Sequence, residues 1–118
     1  GGSGVELAPV EGSVMLDAEP VVDAEVVFHP ENGRPSVGRT DENGYYQLTY
    51  MGKVKGAVIG KHRVTISTYL EPNSDSDDPE LQQGRPENLP EKYNSKTTLS
   101  VEVKRGLGEP IDFLLDML

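Results

Sequence analysis

The sequence predicts an all-β domain, and three observations carry this prediction. The chain of 118 residues contains 13 Gly and 9 Pro, two residue types that favour turns. Short runs rich in β-branched and aromatic residues lie between these turn residues. Apolar and polar side chains alternate along several of the runs, which is the pattern of half-buried strands. We count seven such runs and assign no helix.

The predicted strands are separated by prolines, glycines and acidic turn residues. The clearest is 61–68, where His62, Val64, Ile66 and Thr68 share one face and the charged or polar residues share the other. Pro30 ends the second strand, and Pro35 places the third at an edge because proline cannot donate to a ladder. Residues 52–60, with three glycines, are predicted as a connection. The seven strands are 10–16, 24–29, 36–40, 45–51, 61–68, 97–104 and 111–115.

A tight turn between the third and fourth strands is the strongest local signal. Asn43 and Gly44 tolerate positive φ, and Asp41 can accept hydrogen bonds from backbone N–H groups just ahead of it. Beyond the turn, alternation directs Tyr46 and Leu48 toward the core. We interpret Asp41, Asn43 and Gly44 as a structural turn, with a metal or catalytic role for Asp41 as the less favoured alternative.

The length allows one domain. Residues 1–9 begin Gly1-Gly2-Ser3-Gly4 and are predicted to be a linker or a cloning remnant. Residues 10–118 are predicted to form the domain. Because these four residues are predicted not to be a native N-terminus, the sequence does not decide whether a signal peptide and a membrane anchor precede the domain.

Charge and composition exclude several functions. The net charge is −9, which argues against nucleic-acid binding and against an anionic membrane surface, because both need basic residues. Cys is absent, so disulfides, thiolate metal sites and cysteine nucleophiles are excluded. No apolar run is long enough to cross a membrane.

The two histidines do not form a catalytic set with a nearby nucleophile. His62 lies on the inward face of its strand and is interpreted as a packing residue. His29, next to Pro30, is predicted at the surface. We therefore expect no catalytic residue, no cofactor and no enzymatic activity.

The segment 71–94 breaks the strand pattern, since three prolines exclude a continuous helix or strand. A loop of this length in a small domain is unusual and is often functional or disordered. Its acidic residues are weak calcium candidates, although the spacing does not fit an EF-hand, and a solvated acidic loop is the favoured interpretation. These candidates are Asp75, Asp77, Asp78 and Glu80.

The ordered series of motifs resembles the carboxypeptidase regulatory-like domains, which are grouped with the Cna B-type and transthyretin-like (prealbumin-like) folds. The resemblance rests on Gly12-Ser13-Val14, Pro20, the run 24–28, the run from Gly38 to Leu48, Gly56-Ala57 and the run 60–66. It implies a seven-stranded, two-sheet Greek-key sandwich. The segment 89–94 is similar to the variant found in bacterial envelope lipoproteins, which implies an N-terminal signal peptide and a lipidated Cys.

These observations lead to an expected function. We expect a non-catalytic structural or interaction module of a bacterial cell-envelope protein, extracytoplasmic and monomeric, with an envelope protein or glycan as partner. Membrane attachment would come only from an N-terminal anchor. The alternative is a carbohydrate- or protein-binding module that uses the 71–94 loop. For sugar stacking, the candidate aromatic residues are Tyr45, Tyr50, Tyr69 and Tyr93.

Overall fold

A computed structural model describes residues 6–106 and 108–118 as a mainly β protein with several antiparallel pairings. It contains one five-residue α-helix, α1 (Pro79–Gln83), and a short 3₁₀ helix (Glu91–Tyr93). No helix in the described part of the chain is long and apolar enough to cross a membrane. The strands are β1 (Leu7–Ala8), β2 (Glu11–Leu16), β3 (Glu19–Pro20), β4 (Glu25–Pro30), β5 (Ser36–Arg39), β6 (Tyr45–Gln47), β7 (Thr49–Tyr50), β8 (Val54–Lys55), β9 (Ala57–Val58), β10 (Gly60–Ser67), β11 (Ser100–Val103) and β12 (Phe113–Leu115).

The larger sheet has six strands in the order β11-β10-β4-β5-β7-β8, and its pairs are antiparallel. The alternation predicted for β10 is observed. His62, Val64 and Ile66 are buried, whereas Lys61 and Arg63 are exposed on the outer face. β4 follows the same rule with Val26 and Phe28 inside. Strict period-two patterning therefore fixed which face of the central strands packs inward.

The smaller sheet is organised around β2. β3 and β6 pair with β2 in antiparallel fashion, and β12 pairs with it in parallel, with Phe113 opposite Val14. A side-chain bond supports this long-range pairing, because the Ser13 N–H donates to Asp112 Oδ1 at 2.9 Å. β1 and β9 form a separate two-stranded pair.

The larger sheet and the smaller sheet share one core. Phe28 from the larger sheet lies 6.4 Å from Tyr46 and 6.1 Å from Phe113 between ring centroids, and both partners belong to the smaller sheet. These separations lie in the range of favourable aromatic pairs. The Tyr46 hydroxyl donates to the Ile111 carbonyl at 2.6 Å. Burial and the nearby Asp112 charge raise the pKa of that hydroxyl, so it stays a donor.

The structure corrects several sequence predictions. The third predicted strand, expected at an edge, is β5 and lies between β4 and β7, because Pro35 precedes the strand and takes no place in its ladder. The long predicted strands are shorter and more divided, since 45–51 is interrupted at Leu48 and the connection 52–60 contains β8 and β9. Residues 79–83 form a helix where none was assigned. Within the predicted linker, residues 1–5 lie outside the described residues. However, Leu7–Ala8 pair with β9, and Ala8 is buried. The described β structure therefore begins at β1, ahead of residue 10.

A strained hairpin joins β2 and β3. Asp17 and Ala18 both have positive φ, 49° and 69°, between the paired residues Leu16 and Glu19. Two positive φ values in a two-residue loop are typical of a type I′ turn, which favours Asn-Gly.

We expect Ala18→Gly to stabilise the protein by about 0.5–1 kcal/mol. Relief of the left-handed conformation, roughly 1–2 kcal/mol, exceeds the added entropy of glycine in the unfolded chain, about 0.4–1 kcal/mol. Urea unfolding measures the difference. Ala18→Val should shift the midpoint in the opposite direction, and equal midpoints for both variants would show that the hairpin has another conformation.

Candidate functional site

The turn 41–44 is built from local hydrogen bonds. Asp41 Oδ1 accepts from the N–H groups of Asn43 at 2.8 Å and Tyr45 at 3.0 Å. Gly44 has φ of +78°, and its carbonyl accepts from the Val14 N–H at 2.8 Å. The Asp41 carboxylate thus lies in a capping geometry, and Gly44 connects the turn to β2.

The most prominent surface feature is an acidic arm, which we define as residues 71–84. It leaves and rejoins the domain at Leu70 and Arg85, whose backbones exchange two hydrogen bonds of 2.9 and 2.8 Å. The arm carries five acidic residues and no basic residue. Its helix α1 has no buried residue. The arm is therefore closed at its base and exposed along its length.

Glu87 fastens the return from the arm to the end of β10. Its Oε1 accepts from the Ser67 hydroxyl at 2.5 Å, and its Oε2 accepts from the Thr68 N–H and hydroxyl at 2.7 and 2.8 Å. Burial on its own raises the pKa of Glu87, but the hydrogen bonds from Ser67, Thr68 and Leu89 outweigh it, so the pKa is lowered. Glu87 is therefore a structural anion at neutral pH.

Asp23 joins the arm base to β5. Arg85 Nη2 lies 3.0 Å from both the Asp23 carboxylate and the Asp23 carbonyl oxygen. Arg39 Nη1 donates to the same carbonyl at 3.0 Å. Asp23 itself has φ of +57°, a conformation that Asp tolerates better than most residues. The two arginines thus both bind Asp23 at the base of the arm.

Among the five carboxylates of the arm, only that of Asp78 accepts a hydrogen bond from the described residues. Asp78 caps α1, because its Oδ1 accepts from the Glu80 N–H at 2.9 Å, and Pro79 occupies the first turn. The N–H of Asp75 donates to the Asn73 side chain. Asp77 and Glu80 are exposed. No group of three or more potential metal ligands comes together within residues 6–106 and 108–118, so the structure does not assemble the four calcium candidates into a site.

The two histidines lie on opposite faces of the larger sheet. His62 is 1% exposed and packs 5.5 Å from the Phe28 ring. Its Nε2 lies 2.6 Å from the Val58 carbonyl oxygen, so Nε2 carries the proton, and its buried Nδ1 has no partner in the described region. His29 is half-buried on the outer face, with Nε2 3.1 Å from Thr65 Oγ1.

The tyrosine candidates differ in accessibility. Tyr93 is buried, and its hydroxyl is within 3.2 Å of the Asp116 backbone. Tyr50 is half-buried, whereas Tyr45 and Tyr69 are exposed. Tyr69 lines a hollow of about 200 Å³ at the base of the arm, together with Gln83 and Arg85. Of the four rings, only Tyr69 therefore combines exposure with a position beside the arm.

The residues that hold the arm, Asp23, Arg85 and Glu87, were missed by sequence reasoning. Their partners lie far away in the chain: Arg85 is 62 residues from Asp23, and Glu87 is 20 residues from Ser67. The Asp-Pro-Glu cap at 78–80 did carry a local signal for the helix, but the prolines were interpreted as interruptions.

Comparisons with known proteins yield no relative. No protein-family model matches the chain, and neither a curated protein nor a solved structure matches it at a significant level.

Proposed function

We propose that this protein is a non-catalytic interaction module of a bacterial cell-envelope protein, built as a seven-stranded, Greek-key, transthyretin-like sandwich of the carboxypeptidase regulatory-like kind. The proposal places it outside the cytoplasm, as a monomer attached through an N-terminal lipid anchor. The ordered motif series from Gly12 to Ile66 supports this assignment. Two sheets that share one aromatic core are compatible with it.

The non-catalytic part of the proposal rests on how polar side chains are used. Glu87 accepts hydrogen bonds that close a loop, Asp41 caps a turn and Asp23 pairs with two arginines. His62 lies in the core beside Phe28. These three carboxylates and His62 therefore serve structural contacts, whereas a catalytic group must reach a substrate.

The observation that carries the interaction role is the arm. The arm has 14 residues and its helix buries none of its side chains, so it contributes little to the core. Its base is nevertheless held by the paired backbone bonds between Leu70 and Arg85 and by the side chains of Glu87 and Arg85. Its five carboxylates suit a basic surface on a partner protein, because complementary charge favours association. A glycan partner is the second candidate, since exposed Tyr69 beside the hollow at the arm base offers one stacking ring.

The arm can be tested by replacement. Because Leu70 and Arg85 already form a doubly hydrogen-bonded pair, replacement of residues 71–84 by Asn-Gly gives a two-residue hairpin loop compatible with that pair. We expect the replaced protein to keep its melting temperature within roughly 5 °C, since the excursion buries so little. Binding of an envelope protein, measured with purified components, should be lost.

A second variant serves as the charge control. Replacement of Asp75, Asp77 and Glu80 by the corresponding amides keeps the arm but removes three negative charges. We expect this variant to bind a basic partner with lower affinity, and the loss of affinity should be smaller at high salt. Glycan arrays run with the same proteins identify the second candidate. The proposal would be contradicted by a partner that binds the replaced protein equally well. Turnover of a substrate that is abolished by His62→Ala in a folded protein would contradict the non-catalytic role.

A further inference from the structure

A second surface feature lies away from the arm, on the outer face of the larger sheet. An open hollow of about 440 Å³ is lined there by Lys61 and Arg63 from β10, His29 from β4, Thr98 just before β11 and Ser100 at its start. Its volume falls in the range of small-molecule sites. Because β4, β10 and the segment leading into β11 supply the lining, pairing within the sheet brings the backbones of these residues together.

The centre of this hollow is cationic although the protein is acidic. Arg63 lies opposite His29 on β4 and Ser100 on β11, so neither cross-strand neighbour is a carboxylate. Within the described residues, no ion pair is formed by Lys61 or Arg63. The nearby acids are Glu31, which lines the hollow, and Glu102, which lies opposite Lys61. The guanidinium of Arg63 is thus available to a ligand.

The hollow also offers uncommitted hydrogen-bonding groups. Thr98 and Ser100 are exposed, and their hydroxyls make no bond to the rest of the described chain. His29 uses Nε2 toward Thr65 at 3.1 Å, which leaves Nδ1 for a ligand. By contrast, the neighbouring Thr97 hydroxyl donates to the Val64 carbonyl at 2.5 Å and is not available. The free groups can donate to an oxyanion and also bind hydroxyls.

We propose that this hollow, centred on Arg63, binds a small ligand that carries a carboxylate or phosphate group beside hydroxyl groups, as an acidic sugar does. A guanidinium matches the geometry of both oxyanions. The hydroxyls of Thr98 and Ser100 and the imidazole of His29 then bind the polyhydroxyl part. This site is independent of the arm and of the proposed function, because no arm residue lines it.

The pKa of His29 can report whether an anion binds in this hollow. Burial, and then the positive charge of Arg63, lower the pKa of His29. A bound oxyanion beside Arg63 offsets that positive charge, and the pKa of His29 should rise. An anion bound elsewhere on the surface would leave this pKa nearly unchanged, because salt screens distant charges.

The test is an NMR titration at constant ionic strength with three probes: inorganic phosphate, glucuronate and glucose. We expect saturable shifts of the amides of 61–63 and 97–100 with both anions, accompanied by a rise in the His29 pKa, and no saturation with glucose. Tighter binding of glucuronate than of phosphate would support the contribution of the sugar hydroxyls. If glucuronate binds no more tightly than phosphate, the proposed contribution of the sugar hydroxyls is overturned and the hollow is a site for the oxyanion alone.

Matched charge variants make the test specific. Arg63→Gln should weaken anion binding at least about tenfold, the effect of losing one charge-assisted contact. Lys53→Gln makes the same charge change in the turn between β7 and β8, at the opposite edge of the sheet from β11, and should leave the affinity unchanged. Equal losses in both variants, or no saturation below roughly 50 mM anion, the weak end of the affinity scale, would overturn the proposal.

Discussion

Gly44→Val is expected to destabilise the protein by about 3 kcal/mol. A Cβ at this position would lie 2.6 Å from the Val14 carbonyl oxygen and 3.1 Å from Pro20 Cβ. The positive φ of +78° adds roughly 1–2 kcal/mol for any L side chain, and the steric overlap adds about 1–3 kcal/mol. Thermal melting should show a decrease of about 10–20 °C for a domain of this size.

Gly52→Val separates the two contributions. Gly52 also has a positive φ, +70°, but among the described residues no heavy atom outside its immediate chain neighbours lies within 4 Å of the position of its Cβ. This variant should therefore show only the conformational cost of roughly 1–2 kcal/mol. If Gly44→Val and Gly52→Val melt at the same temperature, the close contact between the turn and β2 is absent in solution.

Glu87→Gln is expected to cost about 2 kcal/mol at about pH 7. Hydrogen bonds to a charged group contribute roughly 1.5–3 kcal/mol, and we take a value below the upper end because the carboxylate is partly open to solvent. The amide nitrogen cannot accept from either the Thr68 N–H or the Ser67 hydroxyl. Urea unfolding measures this loss. Glu71→Gln, which changes an exposed carboxylate on the arm, should alter stability by less than about 0.5 kcal/mol.

The pH dependence of the Glu87 effect has a definite sign. The folded-state pKa of Glu87 lies below its ordinary value of 4.5, so the unfolded chain binds a proton before the folded protein does. The stabilisation is fully present above pH 4.5 and is lost as the pH falls from there through the folded-state pKa. The difference between the parent and Glu87→Gln should therefore shrink in acid. A difference that is constant across this range would contradict the assigned role of the charge.

Strict alternation predicted the inward faces of β4 and β10 correctly, because a buried face leaves no freedom of register. The same pattern placed Tyr46 and Leu48 in the core, where both are buried. Short strands were less predictable. β8 and β9 have two residues each, too few to show any period, and they exist only because β7 and β1 supply partners.

The sequence indicated where the arm lies in the chain but not how its base is held. Composition and prolines identified the segment 71–94 as exceptional, but the fastening by Glu87 and Arg85 depends on three-dimensional contacts. The Arg63 hollow gave no sequence signal, because its lining comes from three segments that neighbour one another only in the folded sheet. Local rules report on turns and faces, whereas sites between strands depend on topology.

The parallel pairing of β12 with β2 has a consequence for the timing of folding. β2 is synthesised about a hundred residues before Phe113, which pairs with Val14 of β2. Phe113 also completes the aromatic cluster with Phe28 and Tyr46. At ribosomal elongation rates this delay is roughly 5–20 s. During that interval the nascent chain cannot close its core, so its apolar faces are open to chaperones or to premature association. Loop closure over this distance also slows refolding.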